Sequence, residues 1–417
     1  MNSASSAATV AYLAPEIPSL SATFVCQELL AVERHGIRVV PISVHSPVAI
    51  TSDDHTLIRR VTTLYTSPHA WLALTGAVSI PTFGKRALTA FSCLVTDVLD
   101  SGILHLASWK LVFQFLVATK LARIVKRENC AHLHVHFADT PAQIAMYAAA
   151  LTGVPFTITA HANDIFEHGL LLKKKAQRAR RMLTISQYNQ RYLERLGIEK
   201  SRLAVVRCGV SFLPKQGGHA GEIRGPFKIG SLGRLVEKKG FDVLLRSIAR
   251  LHATGHEVEL RLAGDGPLKD ELEALARQLQ IESVVRFEGS IGHDKVAGWI
   301  QQVDAFVLAC KQDRNGDMDG IPVVLMEAMS QGIPVISTRL SGVPELVVDG
   351  ETGLLAEPGD SEDLARQIAR LMTARELRAE LSTRALAHVM QEFGQATNIA
   401  RLLDHFNFNQ TEFPSHP

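Results

Sequence analysis

Gly230-Ser231-Leu232-Gly233-Arg234-Leu235-Val236-Glu237-Lys238-Lys239-Gly240 joins a short apolar run to an amphipathic one, a strand-to-helix junction that marks an α/β fold. Phe227–Leu232 has the length and residue types of a buried strand, and Phe241–His252 repeats apolar residues at helical spacing. Small residues in the turn between them let backbone N–H groups approach an anion, and a helix start adds favourable partial charge. Arg234 and Lys239 would share one lip of that turn, where both can bind a diphosphate through charge-assisted hydrogen bonds. On its own the turn reads equally well as a loop that merely carries basic residues.

The same strand–helix rhythm extends in both directions. Downstream come Val258–Ala263 (strand), Leu268–Leu279 (helix) and strands at Val284–Phe287, Ala305–Leu308 and Pro334–Ser337. Upstream, Thr9–Ala14 reads as a strand, Thr23–His35 as a helix closed by Gly36, and Ile37–Val44 as a second strand. Leu133–Phe137, Phe156–Thr159 and Leu203–Val206 continue the series. Strands separated by helices imply parallel sheets with both faces covered. The rhythm breaks at Leu213–Pro226, where four glycines and two prolines mark an interdomain linker.

The expected organisation is therefore an α/β domain over 1–212, a second over 227–390, and a helical tail over 391–417. The last segment of that tail, Asn398–Phe408, is expected to return to the first domain. A helical insertion near 67–127, including Lys110–Arg127, interrupts the first domain. It reads either as an added core layer or as a surface where a lipid-linked acceptor or a membrane docks.

Bulk composition narrows the function classes. The 417 residues are 46% hydrophobic and 21% charged, as in ordinary globular chains, and the formal net charge is only +2. That balance exerts no global pull on nucleic acid or membrane. Five scattered cysteines without a C-x-x-C pair read as reduced thiols. The first ten residues lack the basic n-region of a secretory signal. Val61–Gly84, a long stretch free of charged side chains, is broken by Pro68 and Pro81 and makes a poor membrane span. A cytoplasmic protein follows, with peripheral attachment to the inner face of the membrane left open.

Two further stretches carry chemistry. Leu262-Ala263-Gly264-Asp265-Gly266-Pro267 closes a strand, where open α/β sheets bind ligands, although a plain tight turn reads the same way. Asp319-Gly320-Ile321-Pro322-Val323-Val324-Leu325-Met326-Glu327-Ala328-Met329 reads as a helix with Pro322 in its first turn. Asp319 and Gly320 then lie among the free N–H groups just before it. Glu327 follows Asp319 by eight residues, about two turns of helix, inside an apolar stretch that disfavours a merely solvated role.

Taken together and in order, Gly233–Gly240, Gly264–Pro267 and Asp319–Glu327 resemble the G-R-L-x-x-x-K-G loop, G-x-G-P turn and acid-x7-acid helix of family-four retaining glycosyltransferases. The resemblance continues through His134-Val135-His136-Phe137-Ala138, Thr159-Ala160-His161-Ala162-Asn163-Asp164-Ile165-Phe166, Pro18–Val25 and Ile185–Asn189, and is nearest to the exopolysaccharide subgroup. It implies a GT-B fold, two Rossmann-like domains facing each other across a cleft.

The resemblance also implies roles. Gly233, Arg234 and Lys239 would take the donor diphosphate, and Glu327 the ribose hydroxyls. Gly264, Asp319 and the backbone of Gly320, Ile321 and Pro322 would contact nucleotide and sugar. His161 and Asp319 would serve the reacting centre. The donor would be a nucleotide-sugar, UDP-linked on family grounds, although nothing in the residues separates UDP from GDP or ADP. The acceptor would be a glycan or a polyprenyl-diphosphate-linked glycan. No cofactor or metal is implied. The first acid is usually Glu in the wider family and is Asp319 here, a feature of the exopolysaccharide subgroup. A nucleotide-sugar epimerase of the same fold and a non-catalytic nucleotide- or lipid-binding scaffold remain the alternatives.

Three weaker signals are set against their bland readings. Asp317-Met318-Asp319 mimics a metal-binding D-x-D, but Arg234 and Lys239 already offer the diphosphate its cations. His132, His134 and His136 alternate on a strand with no carboxylate or thiolate at zinc-ligand spacing. Lys173, Lys174, Lys175, Arg178, Arg180 and Arg181 form an acid-free run, read as a solvated face or as a surface for an anionic membrane or lipid diphosphate. No aromatic residues interleave the run, which argues against nucleic acid.

Overall fold

The computed structural model describes residues 8–19, 23–47, 55–66, 68–102, 105–167, 169–210 and 225–406. These divide into two compact units. One draws on Met1–Ile185, Gln190–Gly209 and Asn398–Pro417, the other on Ser186–Asn189 and Val210–Thr397. The linker expected at Leu213–Pro226 lies outside the described residues except for Gly225 and Pro226. Ser67, Leu20–Ala22 and the tail beyond Phe406 also lie outside them.

The first unit holds a seven-stranded sheet: β1 (Thr9–Ala14), β2 (Arg38–Ser43), β3 (Thr62–Thr63), β4 (His132–His136), β5 (Phe156–Ala160), β6 (Arg181–Thr184) and β7 (Leu203–Val205). Its order is β3-β2-β1-β4-β5-β6-β7, parallel throughout. Every residue of β1, β4 and β5 is buried, as expected of strands covered on both faces. The strand order reverses between β1 and β4, and such reversals open the crevice at the carboxyl ends of an α/β sheet.

The second unit repeats that order with six parallel strands: β8 (Phe227–Leu232), β9 (Val258–Ala263), β10 (Val285–Gly289), β11 (Ala305–Val307), β12 (Val335–Thr338) and β13 (Leu354–Ala356). The order β10-β9-β8-β11-β12-β13 reverses between β8 and β11. The Arg234, Gly264 and Asp319 loops follow the strands at and beside that reversal.

The insertion forms three helices, His69–Ser79, Lys85–Ser101 and Leu106–Arg127. Leu106–Arg127 carries the core contacts, burying Leu111, Phe115, Val117 and Leu121. At the other end of the chain, Gln395–Leu403 starts a segment that packs in the first unit. The Arg207 backbone N–H donates to Asn398 Oδ1 at 3.1 Å, and the Phe406 ring stacks on His132 at 4.8 Å.

Candidate functional site

In the second unit three loops converge by backbone packing. Gly264 adopts φ +135°, and a Cβ there would lie 1.9 Å from the Gly233 carbonyl oxygen, so only glycine lets the loops after β8 and β9 touch. The contact is held by hydrogen bonds from Gly233 N to Ala263 O at 3.1 Å and from Leu235 N to Asp265 O at 2.9 Å. Gly240, at φ +66°, sits against Ala309 O beyond β11, where a Cβ would come within 1.8 Å. The next helix, Phe241–Ala253, starts from that glycine.

Lys239 is thereby brought to the segment after β11. Its Nζ lies 2.7 Å from Asp319 Oδ2, and the thiol of buried Cys310 reaches the same oxygen at 3.6 Å. Lys238 Nζ lies 2.7 Å from Asp317 Oδ2 and 3.8 Å from Asp319 Oδ1. Burial alone would lower the pKa of the Lys239 ammonium, but the facing Asp319 carboxylate more than offsets this and raises it. Lys239 therefore stays charged. Arg234 is exposed and has no acidic partner among the described residues.

Asp319 and Gly320 precede the helix of the acid-x7-acid stretch, as expected, and the helix begins slightly later than the sequence suggests. The helix is Val323–Ser330, with Pro322 as its N-cap rather than inside the first turn. Residues 319–321 precede it as non-helical backbone, with Ile321 buried and the Gly320 carbonyl accepting from Gly342 N at 3.2 Å. Glu327 is half-buried, one turn into the helix. Proline here ends an extended segment instead of opening the first turn. A concavity lined by Lys228, Glu259, Arg261, Arg286, Glu288 and Gln302 lies toward the amino ends of β8 and β9. Four of its charges are already paired, Arg261 with Glu288 at 2.6 Å and Arg286 with Glu259 at 3.0 Å.

In the first unit His161 follows β5 at 6% exposure. Buried Asp164 anchors its backbone, accepting the His161 N–H at 2.8 Å and the Ala138 N–H. Burial lifts the Asp164 carboxyl to about 7. The His161 ring lies 3.3 Å, Nε2 to Nδ1, from His136, whose Nε2 is 2.9 Å from Glu28 Oε1. Tyr12 donates its hydroxyl to the same oxygen at 2.6 Å. Burial pushes His161 well below the usual histidine range, so it is neutral at pH 7. Burial would raise Glu28, but facing His136 and His134 hold it far below the usual carboxylate range.

Glu28 corrects the sequence reading of the histidine strand, which found no carboxylate for it. Glu28, His134 and His136 bring ligand-type atoms within 4.8 Å of one another, a grouping that a metal ion could occupy. Hydrogen bonds already satisfy them: His134 Nδ1 to Thr157 at 2.8 Å, His136 to Glu28 and His161, and Glu28 to Tyr12. In sequence Glu28 is one acid among helix residues 23–34. The available signal was three alternating histidines on a buried strand, which need polar partners.

The basic run is also corrected: it is not an open face. Lys175 is fully buried and donates to Ala138 O, and burial lowers it to about 8. Arg178 grips buried Asp97 with two hydrogen bonds, at 2.6 and 2.8 Å. Lys174 lies 3.1 Å from Asp97 and 2.5 Å from Asp100. Arg181 begins β6. Only Lys173 and Arg180 of the six are exposed.

Two family models cover much of the chain: Glycosyltransferase Family 4 over residues 78–212 and Glycosyl transferases group 1 over 219–388. The chain belongs to the family-four glycosyltransferases, with two Rossmann-like units of GT-B architecture. Among relatives, WcaL of Salmonella typhimurium, ascribed to colanic acid biosynthesis, is 35% identical over 51% of this chain and 53% of its own. The amylovoran biosynthesis glycosyltransferase AmsK of Erwinia amylovora is 30% identical over 63% of this chain and 66% of its own. The chain thus spans about half to two thirds of the length of these relatives. Among solved structures, Anabaena Alr3699/HepE in complex with UDP and glucose superimposes with a TM-score of 0.71 at 18% identity, covering 95% of this chain and 98% of that one. The latter likeness speaks to the fold.

Proposed function

We propose that the protein is a retaining hexosyltransferase of exopolysaccharide biosynthesis. It moves a sugar from a nucleotide-sugar, UDP-linked in our reading, to a glycan or polyprenyl-diphosphate-linked glycan in the cytoplasm. The observation that carries the reading is the convergence of the Gly233, Gly264 and Asp319 loops at the β8–β11 reversal, with charged Lys239 among them. Lys239 and exposed Arg234 take the diphosphate. As the glycosidic bond breaks, these fixed cations stabilise the charge that develops on the leaving nucleoside diphosphate. Glu327 holds the ribose, and Gly264 with Gly320, Ile321 and Pro322 lines the nucleotide and sugar. Asp319 contacts the sugar and, in the same arrangement, sets the position of Lys239.

His161 meets the transferred sugar and supports the oxocarbenium-like transition state; Glu28 and His136 orient it. The acceptor hydroxyl attacks on the face the leaving group vacates and passes its proton to the departing diphosphate oxygen, which retains configuration. We propose that no metal takes part. In support, both carboxylates of the D-x-D stretch are engaged by lysines, Asp317 by Lys238 and Asp319 by Lys239. The test is transfer from UDP-, GDP- and ADP-sugars to membrane-extracted lipid-linked glycan, with EDTA present. Product with one donor, in the donor's anomeric configuration, supports the reading. Donor isomerisation without acceptor would replace it with an epimerase, and binding without turnover with a scaffold.

A further inference from the structure

Among the described residues twelve large apolar side chains are exposed, and nine of them fall between Trp71 and Trp109, so exposure is concentrated on the inserted helices. Helix Lys85–Ser101 inverts the usual arrangement. It buries the small Ala87 and Ala90 with Leu94 and Asp97, while Leu88, Phe91, Val95 and Leu99 stand in solvent. Those four recur at helical spacing and form one stripe. On His69–Ser79, Trp71, Leu74 and Val78 repeat the pattern, and Leu106 and Trp109 add to it where Leu106–Arg127 begins. All three helices pack on one another through Leu106–Arg127, so the apolar sets belong to neighbouring elements.

The charge around this face has one sign. Between Asp54 and Glu128 the only acids are Asp97 and Asp100. Asp97 is buried, and Lys174 and Arg178 neutralise the pair. Lys85 and Arg86 are exposed at the start of Lys85–Ser101, and Lys110 near the start of Leu106–Arg127. Aromatic and aliphatic side chains set beside unopposed cations match the interface of an anionic bilayer, where tryptophan sits at headgroup level. A second copy of this face would bring like charges together. No helix of the described residues is long and apolar enough to cross a membrane, so the contact is with the surface.

We infer that helices His69–Ser79 and Lys85–Ser101, with the start of Leu106–Arg127, form a docking face for an anionic lipid bilayer, seated by Trp71, Phe91 and Trp109. The inference uses no step of the proposed sugar transfer and is tested without nucleotide-sugar.

The chain's three tryptophans make the test direct, because Trp299 is buried in the second unit and serves as internal control. Full-length protein is mixed with phosphatidylcholine vesicles with or without phosphatidylglycerol, and with vesicles whose acyl chains carry bromine. Binding is expected only with phosphatidylglycerol, with a blue-shifted emission quenched by bromine. The double variant W71F/W109F should still bind but lose the quenching. The double variant L88S/F91S, checked for an unchanged melting temperature, should bind about tenfold or more weakly. Equal binding by L88S/F91S, or binding without quenching of the wild type, overturns the inference. So does a concentration-dependent dimer that L88S/F91S abolishes, which would make the face a self-association surface.

Discussion

Lys239 Nζ and Asp319 Oδ2 are 2.7 Å apart, so the cation proposed for the donor diphosphate is held by the carboxylate proposed for the donor sugar. The pairing makes the two residues separable by mutation. Lys239→Ala removes a charge-assisted contact with the leaving group, and losses of about 1.5–3 kcal/mol are usual for such contacts. UDP affinity should therefore fall roughly 10- to 100-fold, with turnover falling as well. Asp319→Asn instead releases the lysine. UDP should then bind as tightly as before or more tightly, while transfer is lost. Isothermal titration beside a transfer assay separates these outcomes; equal loss of UDP binding in both variants would contradict the division of roles.

His161 lies in the unit that does not carry the nucleotide loops. His161→Ala should leave UDP affinity within about twofold while lowering kcat by roughly 100- to 1000-fold, the range seen when one transition-state hydrogen-bond donor is removed. The measurement pairs steady-state kinetics with UDP titration. A raised donor KM at unchanged kcat would show that His161 contributes ground-state binding only.

Much of this was legible in the sequence, for identifiable reasons. β1 was legible as an apolar run, because a strand buried on both faces has no alternation to show, whereas β4 (HLHVH) and β9 (VELRLA) were legible as alternating runs between turn residues. β3, β6 and β13 were missed: β3 is two residues, β6 is four residues opened by Arg181, and β13 is only three residues long. The glycine loops were legible because positive φ and close backbone approach leave few residue choices, as at Gly264 and Gly240. Partners far apart in sequence were not legible. Glu28 meets His136 across 108 positions, and Asp97 meets Arg178 across 81, so a helical run of cations read as open surface when a buried acid held its centre.

That acid makes a stability prediction. Asp97 is fully buried between Arg178, Lys174 and the hydroxyl of Tyr147, which donates to it at 2.9 Å. Asp97→Ala would leave the partly buried Arg178 guanidinium without its counter-charge, and breaking such a pair costs about 3–5 kcal/mol. Chemical denaturation should show that loss. Replacing Lys173, which is exposed, should cost less than about 0.5 kcal/mol. Similar losses at the two positions would contradict the correction of the basic run.

Acid should destabilise the first unit from its histidine cluster outward. Burial lowers His134 to about 4 and also lowers His132 and His161, so the unfolded chain binds more protons than the folded one below the ordinary histidine pKa of 6.5. Their contribution is fully present above pH 6.5 and is lost as pH falls toward 4. The depressed Glu28 acts in the same sense, losing its contribution as pH falls below 4.5. Asp164, raised to about 7, works in the opposite sense because its folded form takes up a proton first. Three histidines outweigh one carboxyl, so melting temperature should drop from pH 6.5 to 4, and Glu28→Gln should flatten only the part below 4.5. A melting temperature constant down to pH 5 would contradict the buried, neutral histidines.

The central claim is a metal-free nucleotide-diphosphate site in the second unit, built on the three converged loops. The most direct test is thermal stabilisation of the full-length protein by UDP, GDP and ADP, each with and without EDTA, in wild type and Lys239→Ala. A ligand at about one hundred times its dissociation constant adds roughly 2.7 kcal/mol, which gives a clear shift. A shift with one nucleotide, UDP, that survives EDTA and shrinks in Lys239→Ala is expected. A shift abolished by EDTA, or none with any nucleotide, would contradict the claim.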